Sequence, residues 1–311
     1  MIYGKDLKIF ADGVAVAAAK SCEISMSVDT HEVATPSDVD WRRFKADRSE
    51  WTVSVSTLVT EFYTRFNLGQ KVTLTMAVCN ANGMTDDRLI GTAWLQKSEI
   101  TAQLGNLVQG SFSFQGVGVL GPLYDAEIEY LESTGTQYID TGIKLTSGTT
   151  EIKLVFNAAI TEFTTTTRMI AHSTPNSGIQ VYSGYAAAQN RIFNQGASLT
   201  ATADTFYTIT TTTTASQRTI QLNSGTPATQ SFSRSITDDS TLNICGFPDW
   251  VSTSQNSKAK YKSFKIYVNN TLVRDYISVR KNQVGYFYDR VSDTLFGNNG
   301  TGNFTLGPDK T

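Results

Sequence analysis

The sequence is poor in charge. Asp, Glu, Lys and Arg make up 17% of its 311 residues, against about 25% in an average soluble protein. The two signs nearly cancel, for a formal net charge of −2. A balance this flat excludes a general pull toward nucleic acid or an anionic membrane. Histidine is almost missing: His31 and His172 stand far apart, which starves any acid–base or metal site of its commonest residue. Cysteine is scarce too. Cys22, Cys79 and Cys245 are widely spaced with no CxxC pair. The odd count argues against a disulfide framework and suits small buried hydrophobes in a reducing cytosol. The apolar patch Val14–Ala19 is too short for a membrane span and lacks a basic segment before it. Neither a transmembrane segment nor a signal peptide is expected, so any route out of the cell is lysis or assembly.

What is present points to strands. Hydrophobic residues reach 40%, enough to bury a core. Thr, Ser, Val, Ile and aromatics fill the space that charge leaves, and these fit a pleated, half-buried surface. The expectation is all-β. The length suggests two domains. Gly116-Val-Gly-Val-Leu-Gly-Pro122 clusters Gly and Pro and reads as the boundary, dividing the chain into 1–121 and 122–311. Residues 1–121 hold 11 Lys and Arg against 13 Asp and Glu, and the rest 15 against 15. The second part is richer in Thr, with runs at Thr164–Thr167 and Thr210–Thr214. Beside Phe163, Phe206, Tyr207 and Ile209 these read as exposed strand faces rather than low complexity.

In the first domain, alternation is clear. Cys22, Ile24, Met26 and Val28 share a face, as do Trp51, Val53 and Val55, then Val72, Leu74, Met76 and Val78, then Phe112 and Phe114. Period 2 with one apolar face marks half-buried strands. The opposite faces are mostly Ser and Thr, suited to lining something without gripping it. Asp12-Gly13 signals a hairpin, and Asn80–Gly83 a turn. Phe62 and Phe66, with Thr60 as N-cap and Gly69 at the end, predict one short helix.

Between Asp29 and Glu50 the alternation is lost. This long, charged stretch reads as a functional loop, with Trp41 and Phe44 embedded among Arg42, Arg43, Lys45 and Arg48. Trp and Arg are enriched at assembly interfaces. The basic residues fit an inter-subunit salt-bridge network or a solvated loop. A nucleic-acid contact is the third reading, but Asp38, Asp40, Asp47 and Glu50 interleave and cancel the field that phosphate binding needs.

An opening strand pair, a charged arm, Trp51-x-Val-x-Val55, a short helix and hairpins ending in Gly110-Ser-Phe-Ser-Phe-Gln-Gly116 resemble the major tail-tube proteins of long-tailed phages. The resemblance covers residues 1–121. It implies a β-sandwich or barrel with one flanking helix, and hexameric rings stacked into a tube whose lumen passes DNA without binding it. The arm, residues 29–50, would then order on assembly and bridge subunits, with Trp41, Arg42, Arg43, Phe44, Lys45 and Arg48 at the interface.

In the second domain, short strands are expected at Glu151–Phe156, Ile179–Tyr182, Phe206–Thr210, Thr219–Leu222, Leu242–Cys245, Lys262–Asn269 and Leu272–Val279, with Asn269-Asn270 as a hairpin turn. This spacing suggests a sandwich or jelly roll. The opening Ile128–Gly142 and the close Phe264–Gly297 resemble concanavalin A/laminin-G-like sandwich modules of phage and bacterial surface proteins. The resemblance implies two curved antiparallel sheets and glycan or protein binding, occasionally hydrolysis.

Hydrolysis is not expected. No Glu-x-Asp-x-x-Glu strand supplies the paired carboxylates that retaining enzymes use, and Glu127 and Glu129 read as solvated. Asp238-Asp239 and Asp289–Asp293 offer oxygen ligands, but no spacing resembles a calcium loop, so neither metal nor cofactor is expected. The Gly297–Gly302 loop has no Lys-Ser/Thr after it and is no phosphate cradle. For glycans the candidates are Trp250, in Gly246-Phe-Pro-Asp-Trp250, with Tyr182 and Tyr185. The sequence therefore reads as a structural virion protein, not an enzyme: a tail-tube subunit assembled in the host cytoplasm with other tail proteins. Its second domain would be an outward lectin-like decoration. The rival is a carbohydrate-binding surface protein without tube assembly.

Overall fold

The computed structural model describes residues 7–17, 19–32, 44–58, 66–80, 83–101, 109–163, 167–172, 179–186, 188–231, 233, 236, 238–246 and 256–310. The chain is all-β and divides into two compact units, Met1–Leu123 and Tyr124–Thr311.

Unit 1 is one antiparallel sheet of seven strands: β1 (Leu7–Ala11), β2 (Val14–Ala17), β3 (Ala19–Glu32), β4 (Phe44–Leu58), β5 (Lys71–Asn80), β6 (Gly83–Thr101) and β7 (Gln109–Pro122). Their order is β2-β1-β5-β6-β7-β4-β3. The sheet curls so that β1 meets β3 and β2 meets β4. Its inner face supplies the core: Ile9, Val16, Trp51, Val53, Val55, Val72, Leu74, Met76, Leu95, Phe112 and Phe114. Each such side chain, fully buried, contributes roughly 1.5–3 kcal/mol. Asp12 and Gly13 form the two-residue turn at φ +48° and +77°. Asp12 pins that turn to β5, where its Oδ1 accepts from the Thr73 N–H at 2.7 Å.

Three readings of unit 1 need correction or placement. The stretch Gly116–Pro122, read as the boundary, is strand. It lies inside β7, and Leu123, just after it, ends unit 1. The charged arm is not loop throughout. Its two ends are strand, paired as Thr30–Ala46, His31–Lys45 and Glu32–Phe44. The short helix falls mainly on 59–65, outside the described residues. No helix occurs among the described ones, and Gly69 sits in a turn at φ +76°.

Unit 2 begins with β8 (Ala126–Glu127), β9 (Leu131–Thr134), β10 (Ile139–Leu145), β11 (Glu151–Ile160), β12 (Thr167–His172), β13 (Gln180–Ala186), β14 (Gln189–Asn194) and β15 (Ala197–Thr200). It continues with β16 (Tyr207–Thr214), β17 (Gln217–Leu222), β18 (Ala228–Ser231), β19 (Asp238–Ile244), β20 (Lys258–Val268), β21 (Thr271–Lys281), β22 (Val284–Asp289), β23 (Thr294–Phe296) and β24 (Thr305–Leu306). A six-stranded sheet, β10-β19-β12-β13-β14-β15, faces an eleven-stranded one built on β18-β17-β16-β11-β20-β21-β22-β23. One core lies between them. Phe156 stacks on Phe264 at 5.2 Å, and Phe287 meets Phe264 edge-on at 5.5 Å. Asn269-Asn270 and Asn282-Gln283 turn their hairpins with φ between +49° and +62°, as two-residue hairpins demand.

The Thr210–Thr214 run is not simply an exposed face. Thr211 and Thr213 are buried while Thr210, Thr212 and Thr214 are not. Thr213 is tied to the buried Asn194 side chain. Thr164–Thr166 lie outside the described residues, and Thr167 is buried against Ser183, their hydroxyls 2.8 Å apart. The first and last segments of unit 2 pair with each other, β24 on β9, and Ile128 bridges Asp309.

Candidate functional site

Two surfaces carry the chemistry, one in each unit. In unit 1, register aligns small polar side chains across four strands. Ser21, Ser56, Ser111 and Glu99 form one row; Glu23, Ser54, Ser113 and Lys97 form the next. A third row runs Ser25, Thr52, Gln115 and Trp94. Lys97 and Glu99 neutralise each other at 2.7 Å, so the face is hydroxyl-rich with a slight acidic excess.

The β3–β4 pair overruns the core at one end. Met26, opposite Trp51, is 61% exposed, and Val28 is 49% exposed. Both lie on the apolar side of β3, where no described residue of unit 1 covers them. Across a groove of about 540 Å³ stand Gly118, Leu120 and Val119, the last 86% exposed. The floor is Trp51, whose indole N–H donates to the Gly118 carbonyl at 2.9 Å. Gly118 takes φ +76° to allow this. β3 is also an edge of the described sheet, with no described strand paired to one of its sides.

The arm residues are only partly in view. Trp41, Arg42 and Arg43 lie outside the described residues. Phe44 and Lys45 open β4 opposite Glu32 and His31, and Arg48 is exposed on the same strand. Met26, Val28 and Val119 were not singled out in the sequence as interface residues.

In unit 2 the outer face of the six-stranded sheet carries an aromatic row. Arg168, Tyr182, Phe193 and Ser198 are cross-strand neighbours on β12, β13, β14 and β15. Tyr182 and Phe193 stack at 4.7 Å and 11°. Half-burial holds the Tyr182 phenol above its ordinary pKa, against the opposing pull of the Arg168 and Arg218 guanidinium groups. Burial likewise lowers the Arg168 pKa, with Tyr182 opposing. Arg191 shares this face. Its Nε donates to Ser198 Oγ at 3.1 Å and its Nη2 to the Ser198 carbonyl at 3.4 Å. Tyr185 is on β13 opposite Asn190, and Trp250 lies outside the described residues. Phe193 and Arg191 carry no signal in the sequence apart from strand alternation.

Asp289, one of the oxygen ligands considered for calcium, is buried and committed to its own turn. It accepts from the N–H groups of Asp275, Val291 and Ser292 and from the Ser292 hydroxyl at 2.6 Å. No group of three or more His, Cys, Asp or Glu able to hold a metal occurs among the described residues. No described helix is long and apolar enough to cross a membrane.

No family model matches the sequence, and no curated protein matches it. Among solved structures it is similar to a chain of the native gene transfer agent virion, at 14% identity and TM-score 0.32, over 39% of this chain and 98% of that one. It is similar to the SPP1 tail tube at 16% identity and TM-score 0.31, over 40% of this chain and 81% of that one. A candidate carbohydrate binding protein from Bacteroides ovatus aligns at 12% identity and TM-score 0.42, over 99% of this chain and 94% of that one.

Proposed function

We propose that the chain is a structural, non-catalytic virion subunit that polymerises through unit 1 into the stacked hexameric rings of a tail tube. Unit 2 is its decoration. The observation that carries this reading is the open β3 edge with Met26 and Val28 uncovered beside it. An unpaired edge is a template for another strand, and an apolar patch uncovered in the monomer marks a contact surface. A two-stranded ribbon is marginal in water by itself, so the overrunning end of β3 and β4 gains most from a neighbouring copy. A head-to-tail contact that closes by rotation gives a ring.

The Ser/Thr face supports the role of bore lining. Across the three rows Glu23 and Glu99 face the single cation Lys97, so these rows offer no basic track to hold DNA phosphates in passage. Assembly in the host cytoplasm with other tail proteins follows from the same reading.

Negative-stain microscopy of the purified chain tests it. Rings or long tubes are expected. Val119→Asp, at a side chain with little to lose in the monomer, should leave the melting temperature unchanged and block polymerisation. Replacing residues 33–43 with a short Gly-Ser linker, which keeps the Glu32–Phe44 pair, should also block polymerisation and leave the monomer folded. Wild-type protein that stays monomeric at every concentration sinks the proposal.

A second reading is favoured by the Tyr182–Phe193 pair: unit 2 binds surface glycans, either on a tube or as a surface adhesin. Aromatic rings beside polar side chains on an outer sheet face suit a sugar, which has both apolar C–H faces and hydroxyls.

A further inference from the structure

We infer that the Trp51 groove receives the opposite end of the same sheet from a second copy, so that copies join head to tail along the strands. The inference rests on the assembly reading above and adds which surface answers the groove.

Exposed apolar side chains are distributed unevenly. Eight large ones are exposed among the described residues, and all but Val291 lie in unit 1. Three of them, Met26, Val28 and Val119, border the groove. Two more, Ile100 and Leu68, lie at the far end of the sheet, and register fixes the separation. On β7, Gly110 pairs with Thr57 of β4 on one side and with Ile100 of β6 on the other. Nine positions separate Gly110 from Val119 on that strand, which at about 3.3 Å per residue is roughly 30 Å.

Ile100 is the far-end counterpart of Met26. Phe114, Phe112 and Gly110 stand opposite Leu95, Ser98 and Ile100, so Ile100 is on the apolar side of the sheet. There it is about half exposed, because the β6–β7 ribbon outruns β5, which begins only at Lys71 opposite Trp94. Leu68 stands 62% exposed in the turn that opens β5. The Gly69 N–H donates to the Leu95 carbonyl and holds that turn against β6.

The groove could meet a second groove or a far end. Two grooves face to face would leave Ile100 and Leu68 in water. They would also bring together two copies of Glu50, a residue that lines the groove, and like charges across an interface are costly. A far end covers all five apolar residues. It also offers Glu50 a cation, the exposed Lys71, three residues beyond Leu68. Such a contact joins two different surfaces. Each copy fills its own groove and leaves its far end free for the next, so growth along the strands stays open.

Sedimentation velocity and negative-stain microscopy of complementary variants test this, with melting curves to verify folding. Val119→Asp spoils the groove, and Ile100→Asp or Leu68→Asp spoils the far end. Each variant alone should form no tubes. An equimolar mixture of Val119→Asp with a far-end variant should give a species twice the mass that either forms alone, and nothing longer. One intact groove then meets one intact far end. Leu68→Asp, in an exposed turn, carries the far-end test if Ile100→Asp loses its fold. Far-end variants that polymerise like wild type, while Val119→Asp does not, overturn the inference and leave the assembly reading standing. A mixture that stays at the mass of its components does the same. Wild-type protein that never polymerises overturns both.

Discussion

Trp51 lies flat across two glycines of neighbouring strands. A Cβ added to Gly116 would stand 2.1 Å from the indole, and one added to Gly91 would stand 2.5 Å from it. Both positions are held by the ring. Gly116→Ala is therefore expected to destabilise unit 1 by roughly 1–3 kcal/mol, the usual cost of forcing extra volume into a packed core. Urea unfolding of the full chain measures this, and an unchanged midpoint for unit 1 would refute the account. In the sequence the same glycines look like punctuation. The indole that needs them reaches a carbonyl 67 residues away, and no local pattern reveals such a partner. Arg191 and Phe193 were hidden for a related reason: their row appears only once β13, β14 and β15 are in register.

At the scale of elements, alternation was a good guide to sidedness and a poor one to cover. β4 and β7 bury the residues their period-2 pattern marks, and β5 buries Val72, Leu74 and Met76. β3 shows the same pattern, yet Met26 and Val28 are exposed because the ribbon outruns the strands that would pack on it. The Thr run in β16 fails in the opposite sense. Its hydroxyl side chains all look alike, but Thr213 finds a buried partner in Asn194. Turns fared better: Asp12-Gly13 and Asn269-Asn270 both need positive φ, which their residue types tolerate.

The closing strand pair of unit 2 has a pH signature. Asp309 accepts from Arg280 through both carboxylate oxygens, at 2.8 and 2.7 Å. The Arg280 hydrogen bond holds the Asp309 pKa below its ordinary value. A lowered native pKa stabilises the fold above the unfolded value, and that contribution is lost as pH falls through the lowered one. Wild-type unit 2 should lose more stability than Asp309→Asn between about pH 5 and pH 2. Parallel acid titrations followed by circular dichroism would contradict this, were the two curves to run together.

At the scale of the whole molecule, each unit has its own core. In unit 2 the first and last segments seal each other. Besides β9 with β24, the Glu129 N–H donates to the Pro308 carbonyl and the Lys310 N–H to the Glu127 carbonyl. Residues 124–311 expressed alone should accordingly fold and melt cooperatively. Their midpoint should match a transition seen in the intact chain, by calorimetry. An aggregated or non-cooperative fragment would show that unit 2 depends on unit 1. The all-β class was legible from composition and period, because both are properties of short windows. The proposed assembly surface was not, since it consists of apolar residues that differ from core residues only in that no described residue covers them.

The indole of Trp51 also gives the molecule an optical handle. Though only 3% exposed, it lines the groove beside Met26 and Val119, so filling that groove changes the surroundings of the ring. With Trp41, Trp94 and Trp250 replaced by phenylalanine, one fluorophore would remain. A change in its emission with protein concentration would then report, without a dye, whether a second copy fills the groove as proposed.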